Sequence, residues 1–339
     1  MKAAVLRGPY DAIGAEVDKP KAGPGEILIK VKACGICGSD LHTYKLGLFP
    51  EISKEVPQGR IPGHEFSGDV AEVGEGVEGI AVGDRVTALT MGAMAEYVTV
   101  APAVLNFLVF KLATGIGYEE AATNEPLATS LHAAKMGKPA NGEQAVIFGA
   151  GIIGLGIVQC IKAMGVELKK LIVVDSSDRR LEMARKLGAT DVINLTRDNV
   201  IEKVTEIAGT VPMRFVPTIL LPDVDLVYDA VGYVQGSAAQ PVIETALMIT
   251  KEFARIVVVG AFEAPVTVDL NPLFSKEIKI YGSFGYDIPG EFMEALELIR
   301  EKKVDRNVLI SHAFPFEEAK EAFATQANTG ESVKVIFKA

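Results

Sequence analysis

Two short segments near the N-terminus contain residue types that bind zinc. Residues 35–42 read GICGSDLH and residues 63–65 read GHE. The thiolate of Cys37, the imidazole of His64 and the carboxylate of Glu65 suit Zn²⁺, which takes mixed sulfur, nitrogen and oxygen ligands. The alternative for His64 is an ordinary surface histidine, but a glycine turn that leads from a loop into a strand suits presentation of a ligand. A catalytic zinc acts as a Lewis acid that lowers the pKa of a bound alcohol and so favours hydride transfer to a nicotinamide.

The other cysteines and histidines have simpler interpretations. Cys34 and Cys37 form a C-x-x-C pair, which is typical of redox sites and of halves of structural zinc sites. The sequence has no second C-x-x-C, and Cys160 falls in a predicted core helix, so a four-cysteine site is excluded. His132 and His312 have no ligand-type neighbours and are interpreted as structural.

A glycine-rich turn in the middle of the chain predicts a dinucleotide site. Residues 149–154 read GAGIIG, follow a short apolar strand and open an apolar helix. In that context glycines admit a pyrophosphate to the helix N-terminus, whereas a glycine turn that merely packs a helix on a sheet needs no acid nearby. Asp175 ends the next strand, 21 residues after Gly154, where a carboxylate accepts from ribose hydroxyls and repels a 2′-phosphate. The pattern favours NAD over NADP.

Two arginines follow this acid. Arg179 and Arg180 either flank the adenosine or lie on an exposed helix face. Because arginine is the usual partner of a 2′-phosphate, use of both cofactors stays open. The predicted cofactor-binding residues are Gly149, Gly151, Ile152, Ile153, Gly154, Asp175 and Arg180.

The elements that must position these residues fall into two domains. About the first 135 residues show period-two apolar alternation broken by glycine and proline, which predicts antiparallel strands. From Pro139 onward, six apolar strands alternate with helices, from AVIFG (145–149) to IKIYG (278–282), which predicts a doubly wound sheet. The closing ESVKVIFKA predicts a strand that returns to the first domain. We place the catalytic domain at 1–138 with 273–339, and the nucleotide domain at 139–272.

Composition limits the classes of function. The chain has 339 residues, about twice the usual size of one domain, and a formal charge of −10. Excess acid argues against nucleic acid and anionic membranes as partners. No apolar run reaches the roughly 18 residues of a membrane span, and the N-terminus lacks a signal-peptide pattern. With three cysteines, the sequence predicts a cytoplasmic protein.

Together these features resemble the zinc-containing medium-chain dehydrogenases of the alcohol dehydrogenase superfamily, in particular the polyol (sorbitol), butanediol and threonine dehydrogenase branch. The resemblance runs over nearly the whole chain. It rests on several strings in one order: CGICGSDLH (34–42), PGHEFSG (62–68), VGDRV (82–86), AEYV (95–98), NEPLATSLHA (124–133), FGAGIIGLG (148–156) and KEIKIYGS (276–283).

The resemblance implies an α/β protein with a Rossmann domain and a GroES-like, mostly antiparallel β catalytic domain. Cys37, His64 and Glu65 match the family's catalytic zinc positions. Glu125 matches a position that supplies a fourth ligand in some members, whereas a water intervenes in others. The family associates through its nucleotide domains, which implies a homodimer or homotetramer.

The resemblance also implies roles for three residues on the segment after Cys37. Asp40 matches a carboxylate that orients a zinc-bound histidine. Ser39 matches the hydroxyl that takes the substrate proton, and His42 the imidazole that passes it to solvent through the nicotinamide ribose. Cys34 matches no ligand position.

Two departures from the family matter. Many relatives carry a lobe with four cysteines that bind a second, structural zinc, and it would lie between Val86 and Ala95. Here residues 87–94 read TALTMGAM, so we predict one zinc per subunit. Residues 210–225, TVPMRFVPTILLPDVD, form a longer and more apolar connection than usual, which is either a subunit contact or a loop packed on its own domain.

The predicted substrate is a secondary alcohol in a polyol, vicinal diol, sugar alcohol or hydroxy amino acid. Two alternative functions are a zinc-free quinone or enone reductase of the same superfamily and a non-enzymatic NAD-binding protein. Neither needs the complete ligand set and proton relay. The candidate substrate-cleft residues are Thr43, Tyr44, Leu48, Phe49, Phe107, Phe284 and Tyr286.

Overall fold

The computed structural model describes residues 1–101, 108–234 and 240–339, which fall into two compact units. The first unit comprises Met1–Ala128 and Asp287–Ala339, and the second comprises Thr129–Tyr286. The boundaries therefore differ from the expected 138/139 and 272/273. Pro139 marks the end of a helix that runs through the first boundary. The second boundary lies after Lys279–Gly282, because that strand pairs with the sheet of the second unit.

Strands form the sheets of the first unit and the centre of the second. In chain order they are β1 (Lys2–Gly8), β2 (Asp11–Glu16), β3 (Ile27–Gly35), β4 (Lys54–Val56), β5 (Gly59–Ile61), β6 (Glu65–Val73), β7 (Arg85–Ala88), β8 (Tyr97–Val100), β9 (Val109–Lys111), β10 (Gln144–Phe148), β11 (Lys170–Asp175), β12 (Asp191–Asn194), β13 (Thr210–Pro212), β14 (Leu220–Pro222), β15 (Leu226–Asp229), β16 (Arg255–Val258), β17 (Lys279–Gly282), β18 (Ile310–Phe314) and β19 (Lys334–Lys338).

The described helices occur in both units. They are α1 (Gly38–Leu46), α2 (Tyr118–Ala122), α3 (Asn124–Gly137), α4 (Ile152–Ala163), α5 (Asp178–Leu187), α6 (Val200–Ala208), α7 (Val242–Ile249), α8 (Asn271–Ser275), α9 (Gly290–Arg300) and α10 (Ala319–Ala327). Single 3₁₀ turns occupy Pro50–Ile52, Asn307–Leu309 and Phe316–Glu318. Within the described ranges, no helix combines the length and apolar character needed to cross a bilayer.

The first unit is organised around β3. This strand pairs antiparallel with β6, β8 and β19, and it belongs to a sheet in the order β18-β19-β3-β6-β7-β9. A second sheet has the order β2-β1-β5-β4. Side chains of both sheets and of α10 form one buried apolar cluster that includes Val5, Ile29, Val98 and Phe323. The C-terminal β19 lies in this sheet, so the predicted return of the chain to the first unit is correct.

The second unit contains a six-stranded parallel sheet in the order β12-β11-β10-β15-β16-β17. All five residues of β10 are buried, as expected for a strand covered by helices on both faces. The strand order reverses beside β10, and ligands of such sheets bind at the carboxyl end of the strands at this point. The predicted fold class, a Rossmann sheet with a mostly antiparallel β domain, is confirmed.

The apolar connection 210–225 contains a small hairpin of β13 and β14. Phe215 is 77% exposed and Leu220 is 60% exposed. In the loop between these strands, the Arg214 guanidinium lies 4.9 Å from the ring centroid of Phe253 and pairs with Glu277 at 2.5 Å. The hairpin is therefore anchored on its own unit at one end, while part of its apolar surface faces outward.

Candidate metal centre and nucleotide site

The three predicted ligands Cys37, His64 and Glu65 lie together in the first unit. One potential ligand atom from each lies within 4.8 Å of the others, and the described residues contain this one group of three. His64 is 8% exposed and Glu65 is fully buried. Nδ1 of His64 and Oε1 of Glu65 are buried without a hydrogen-bond partner. Cys37 is half-buried. A largely buried set of sulfur, nitrogen and oxygen donors with unused lone pairs fits a zinc ion.

The strand register brings these residues together. Gly35 at the end of β3 lies opposite Glu65 at the start of β6, and Cys37 follows as the N-cap of α1. Gly63 precedes His64 with φ of +97°, and a Cβ there would lie 2.6 Å from Met94 Cγ and 2.9 Å from Cys34 Sγ. Only glycine suits this conformation in so small a space, so Gly63 fixes the approach of the chain to His64.

Asp40 connects the two ligand segments through the backbone. Its buried carboxylate accepts hydrogen bonds from the backbone N–H of Cys37 at 2.8 Å and of Gly63 at 3.2 Å. The expected bond to the imidazole is not made through Nδ1 of His64, which has no partner. Asp40 on α1 therefore holds together the two segments that carry the ligands, because its carboxylate accepts a backbone N–H from each of them.

The ionisable groups of this centre influence one another strongly. Burial raises the pKa of the Cys37 thiol, and the charge of Glu65 raises it further. Burial lowers the pKa of His64, but Cys37 and Asp40 more than offset this, so that the pKa is raised well above its usual value. Burial also raises the pKa of Asp40. A divalent cation would relieve this crowding of acidic groups.

Glu125 lies near the centre but outside the closest group. Its charge contributes to the raised pKa values of both Cys37 and His64. It is the second residue of α3, and the preceding Asn124 is anchored by a 3.1 Å hydrogen bond from its Nδ2 to the carbonyl of Phe292. Direct coordination by Glu125 therefore stays a prediction.

The two predicted relay residues lie on α1, three positions apart. Oγ of Ser39 is buried without a hydrogen-bond partner. His42 is half-buried, and its ring packs edge-on against Phe49 with centroids 6.0 Å apart. Residues three apart on a helix share a face, so a hydroxyl and an imidazole point to the same side of α1.

Several candidate cleft residues have other roles. Tyr44 is 5% exposed and packs on Tyr10 and Phe323, so it belongs to the core and not to a cleft. The Thr43 hydroxyl donates to the Leu48 carbonyl at 2.7 Å, which closes the C-terminal end of α1. Phe107 lies outside the described residues.

One residue of this site, Lys334, was not predicted from the sequence. Lys334 of β19 is fully buried, and its Nζ contacts Oε2 of Glu65. The same Nζ donates to the backbone carbonyl of Ile36 at 2.7 Å. β19 reads KVIFK, and nothing in this pattern indicates that its first lysine points inward.

The glycine turn of the second unit has the geometry that the sequence predicted. Gly149 follows β10 with φ of +92°, and Gly151 is an extended N-cap of α4 without a side-chain cap. A Cβ on Gly154 would lie 1.8 Å from the Gly149 carbonyl oxygen, so this glycine lets the helix approach the strand. The N–H groups of the first helical turn, from Ile152 and Ile153 onward, have no partner within the helix and can bind an anion.

Asp175 and Arg180 lie beside this turn. The Asp175 carboxylate accepts from the backbone N–H of Ala150 at 2.7 Å and of Ser177 at 2.8 Å. Each carboxylate oxygen keeps a further lone pair for a ligand hydroxyl. Arg180 is 8% exposed, and its Nη1 lies 3.9 Å from the position of a Cβ on Gly151. Burial lowers the pKa of Arg180, an effect that Asp175 opposes. Arg180 is therefore not on an exposed face, whereas Arg179 is exposed.

Comparisons with known proteins identify both units. The alcohol dehydrogenase GroES-like domain family matches residues 23–109, and the zinc-binding dehydrogenase family matches residues 153–301. (R,R)-butanediol dehydrogenase of Bacillus subtilis is 30% identical over 371 residues, covering 100% of this chain and 99% of that protein. L-threonine 3-dehydrogenase of Pyrococcus horikoshii is 32% identical over 358 residues, covering 97% and 95%. A solved Escherichia coli alcohol dehydrogenase, described as short chain and complexed with NADH, has a TM-score of 0.81 at 27% identity, covering 100% and 99%.

These matches confirm the predicted resemblance to the polyol, butanediol and threonine dehydrogenase branch. The prediction of a zinc- and NAD-dependent alcohol oxidoreductase holds over the zinc-free reductase and the non-enzymatic protein. The chain belongs to the zinc-binding dehydrogenases that carry an alcohol dehydrogenase GroES-like domain.

Proposed function

We propose that this protein transfers a hydride between NAD and a secondary alcohol of a polyol, vicinal diol, sugar alcohol or hydroxy amino acid. The observation that carries the proposal is the group of Cys37, His64 and Glu65, half-buried at Cys37 and buried at the other two, whose donor atoms lie within 4.8 Å of one another. The butanediol and threonine dehydrogenases support the substrate class, because their named substrates each carry a secondary alcohol beside a second polar group.

In this proposal zinc, when bound, supplies a Lewis acid that polarises the alcohol oxygen, and NAD accepts the hydride. Cys37, His64 and Glu65 hold the metal, with Glu125 as a candidate fourth ligand. The Ser39 hydroxyl takes the proton of the substrate hydroxyl, since it is buried and has no partner within the protein.

The proton then passes to the imidazole of His42, which is half-buried and can exchange protons with solvent. Asp40 acts as a positioning residue, because it ties the Cys37 and Gly63 backbones together. Ser39 and His42 both lie on α1, so the hydroxyl and the imidazole are held by the same helix.

In the second unit, we assign the pyrophosphate of NAD to the turn from Gly149 to Gly154 and to the N–H groups of Ile152 and Ile153. Asp175 accepts from the adenine ribose hydroxyls, and Arg180 flanks the adenosine. The proximity of Arg180 to Gly151 also supports some use of NADP, because a guanidinium binds a 2′-phosphate well.

We also propose a homodimer or homotetramer in the cytoplasm. Phe215 and Phe274, which are 77% and 85% exposed in the second unit, support association through that unit. Cys34, Cys37 and Cys160 form no disulfide in the described part of the chain, which suits a reducing compartment. The charge of −10 supports a small-molecule substrate and not nucleic acid or membrane.

The test is zinc content per subunit, measured by elemental analysis on the wild type, Cys37→Ala and Cys34→Ala. We expect one zinc in the wild type, loss of zinc and turnover in Cys37→Ala, and retention of zinc in Cys34→Ala. Both thiols are small and lie three residues apart, so the second variant controls for the removal of a thiol. NAD affinity should survive in all three, because the nucleotide turn lies in the other unit.

The substrate screen should begin with diols, polyols and hydroxy amino acids. A zinc-containing wild type that oxidises one of these supports the proposal. A wild type without zinc after supplementation, active on enones or quinones, would overturn it. Retention of zinc and full turnover by Cys37→Ala would remove Cys37 from the ligand set.

A further inference from the structure

A fully buried ion pair joins the metal centre to the C-terminal strand. Lys334 and Glu65 each have no exposed side-chain surface, and Nζ of Lys334 contacts Oε2 of Glu65. The same ammonium donates to the Ile36 carbonyl at 2.7 Å, one residue before Cys37. Burial of two charges is costly unless they are paired and hydrogen-bonded, so this arrangement is tightly specified.

The backbone leaves a gap that fits this ion pair. Gly35 lies between Ile336 of β19 and Glu65 of β6 in the sheet register. A Cβ on Gly35 would lie 2.3 Å from Oε2 of Glu65 and 2.6 Å from Cε of Lys334. Because Gly35 has no side chain, the lysine can reach over β3 to the carboxylate.

The lysine makes the two carboxylate oxygens of Glu65 unequal, because it contacts one of them. Both carboxylate oxygens are buried and make no hydrogen bond, but only Oε2 is in contact with the ammonium. We propose that Lys334 is a positioning residue that presents Glu65 to the metal through Oε1 alone. This inference rests on the proposed function, since it takes Glu65 as a zinc ligand.

A single-oxygen contact has a consequence for the reaction. A catalytic zinc needs a coordination position left open for substrate oxygen. If both oxygens of Glu65 bound the metal, the carboxylate would take up a further position. Lys334 therefore keeps a position open, and its positive charge also offsets part of the negative charge of Cys37, Glu65 and the nearby Glu125.

The test uses Lys334→Met, which keeps the length of the side chain and removes the ammonium. We expect this variant to bind zinc more tightly, by about tenfold or more, because a positive charge next to a dication is removed and the second oxygen is released. Its cobalt(II)-substituted form should show weaker visible d–d bands than the wild type, as the coordination number rises. Zinc affinity is measured by competition with a chelator, and folding by circular dichroism and NAD affinity.

Two further variants sharpen the result. Lys334→Arg should weaken zinc binding, because the guanidinium fork can occupy both carboxylate oxygens. Lys338→Met removes an exposed lysine of the same strand, which pairs with Glu119 at 2.6 Å. This matched control should leave zinc affinity and the cobalt spectrum unchanged.

Several outcomes would overturn the inference. An unchanged spectrum and affinity in Lys334→Met would show that the lysine does not restrict Glu65. Loss of zinc in that variant would show that Lys334 only stabilises the site. If the variant does not fold, the wild type decides. Single-oxygen binding allows at most five ligands, which are Cys37, His64, one oxygen of Glu65, Glu125 and one water. A cobalt spectrum of six-coordinate character would therefore contradict single-oxygen binding. A wild type that binds no metal would overturn the proposed function as well, whereas the other outcomes would leave that function standing.

Discussion

The metal centre of the first unit consists of ionisable side chains that are largely removed from water, whereas the glycine turn of the nucleotide site in the second unit consists of backbone and of missing side chains. Cys37, His64 and Glu65 bring two acids and a base into a buried space. The turn from Gly149 to Gly154 brings no charge and depends on the absence of Cβ atoms. The metal centre therefore needs positive charge that compensates its acidic groups, and the glycine turn needs space next to the backbone.

This difference predicts how each site fails. Substitutions in the metal centre should change charge and coordination while NAD binding persists. Substitutions in the glycine turn should change packing while zinc content persists. The variants below test whether the two sites can be lost separately.

Gly154→Ala should have the largest effect on the second unit. The added Cβ would lie 1.8 Å from the Gly149 carbonyl oxygen and 3.3 Å from Ile147 Cγ2, so α4 must move away from β10. Overpacking of this kind lowers the free energy of unfolding by about 3 kcal/mol. We expect NAD binding to be lost with it, as measured by urea denaturation and by fluorescence titration of NADH.

Gly151→Ala is the matched control in the same turn. A Cβ there would meet only Nη1 of Arg180, at 3.9 Å, so stability should stay near the wild type. NAD affinity should nevertheless fall, because the methyl group lies on the pyrophosphate side of the N-cap. Zinc content should be unchanged in both variants. Loss of zinc in either one would contradict the separation of the two sites.

Asp175→Ala should have an intermediate effect. Removal of hydrogen bonds to a charged acceptor costs about 1.5–3 kcal/mol, so NAD should bind about tenfold or more weakly. Discrimination against NADP should relax, because the repelling carboxylate is gone. Asp175 also accepts from Ala150 and Ser177, so Asp175→Asn, which keeps an acceptor oxygen, separates support of the turn from recognition of the ribose. An unchanged ratio of NAD to NADP kinetics in both variants would remove Asp175 from the ribose site.

The sequence predicted those parts of the sites that are local in the chain. Cys37 follows β3 and His64 leads into β6, and two strands with a ladder register bring such ends together. The turn at Gly149 needs only the strand before it and the helix after it. The helical period could also have placed Tyr44 correctly, because it lies four residues from the buried Asp40 on the same face of α1.

The remaining features depend on contacts between distant segments. Lys334 follows Glu65 by 334 − 65 = 269 positions in the sequence. A polar residue in an alternating strand normally predicts a side chain on the outward face. Here four of the five residues of β19 are buried, so alternation has no meaning in this strand. The first domain boundary was missed for a related reason, since α3 continues from one unit into the other without a break in its pattern.

The two units also differ in how they accommodate a buried lysine, which gives the smallest predicted effect. Lys334 meets a carboxylate, whereas Lys276 meets only carbonyls. Nζ of Lys276 donates to the carbonyl oxygens of Leu247 and Thr250, each at 2.8 Å, and of Met248 at 3.1 Å, at the C-terminal end of α7. Burial lowers the pKa of Lys276 from 10.5 to about 8.

The pKa of Lys276 is thus lower in the folded than in the unfolded state. Folding releases a proton between these two values, so this group makes the fold more stable as pH rises from about 8 to 10.5, and less stable as pH falls through that range. We expect the free energy of unfolding of the wild type, relative to Lys276→Met, to increase by about 2 kcal/mol over this interval. Urea denaturation of both proteins at pH 7.5 and pH 10 measures the difference. A constant difference between the two proteins would mean that the three carbonyl contacts, which favour the ammonium, cancel the cost of burial.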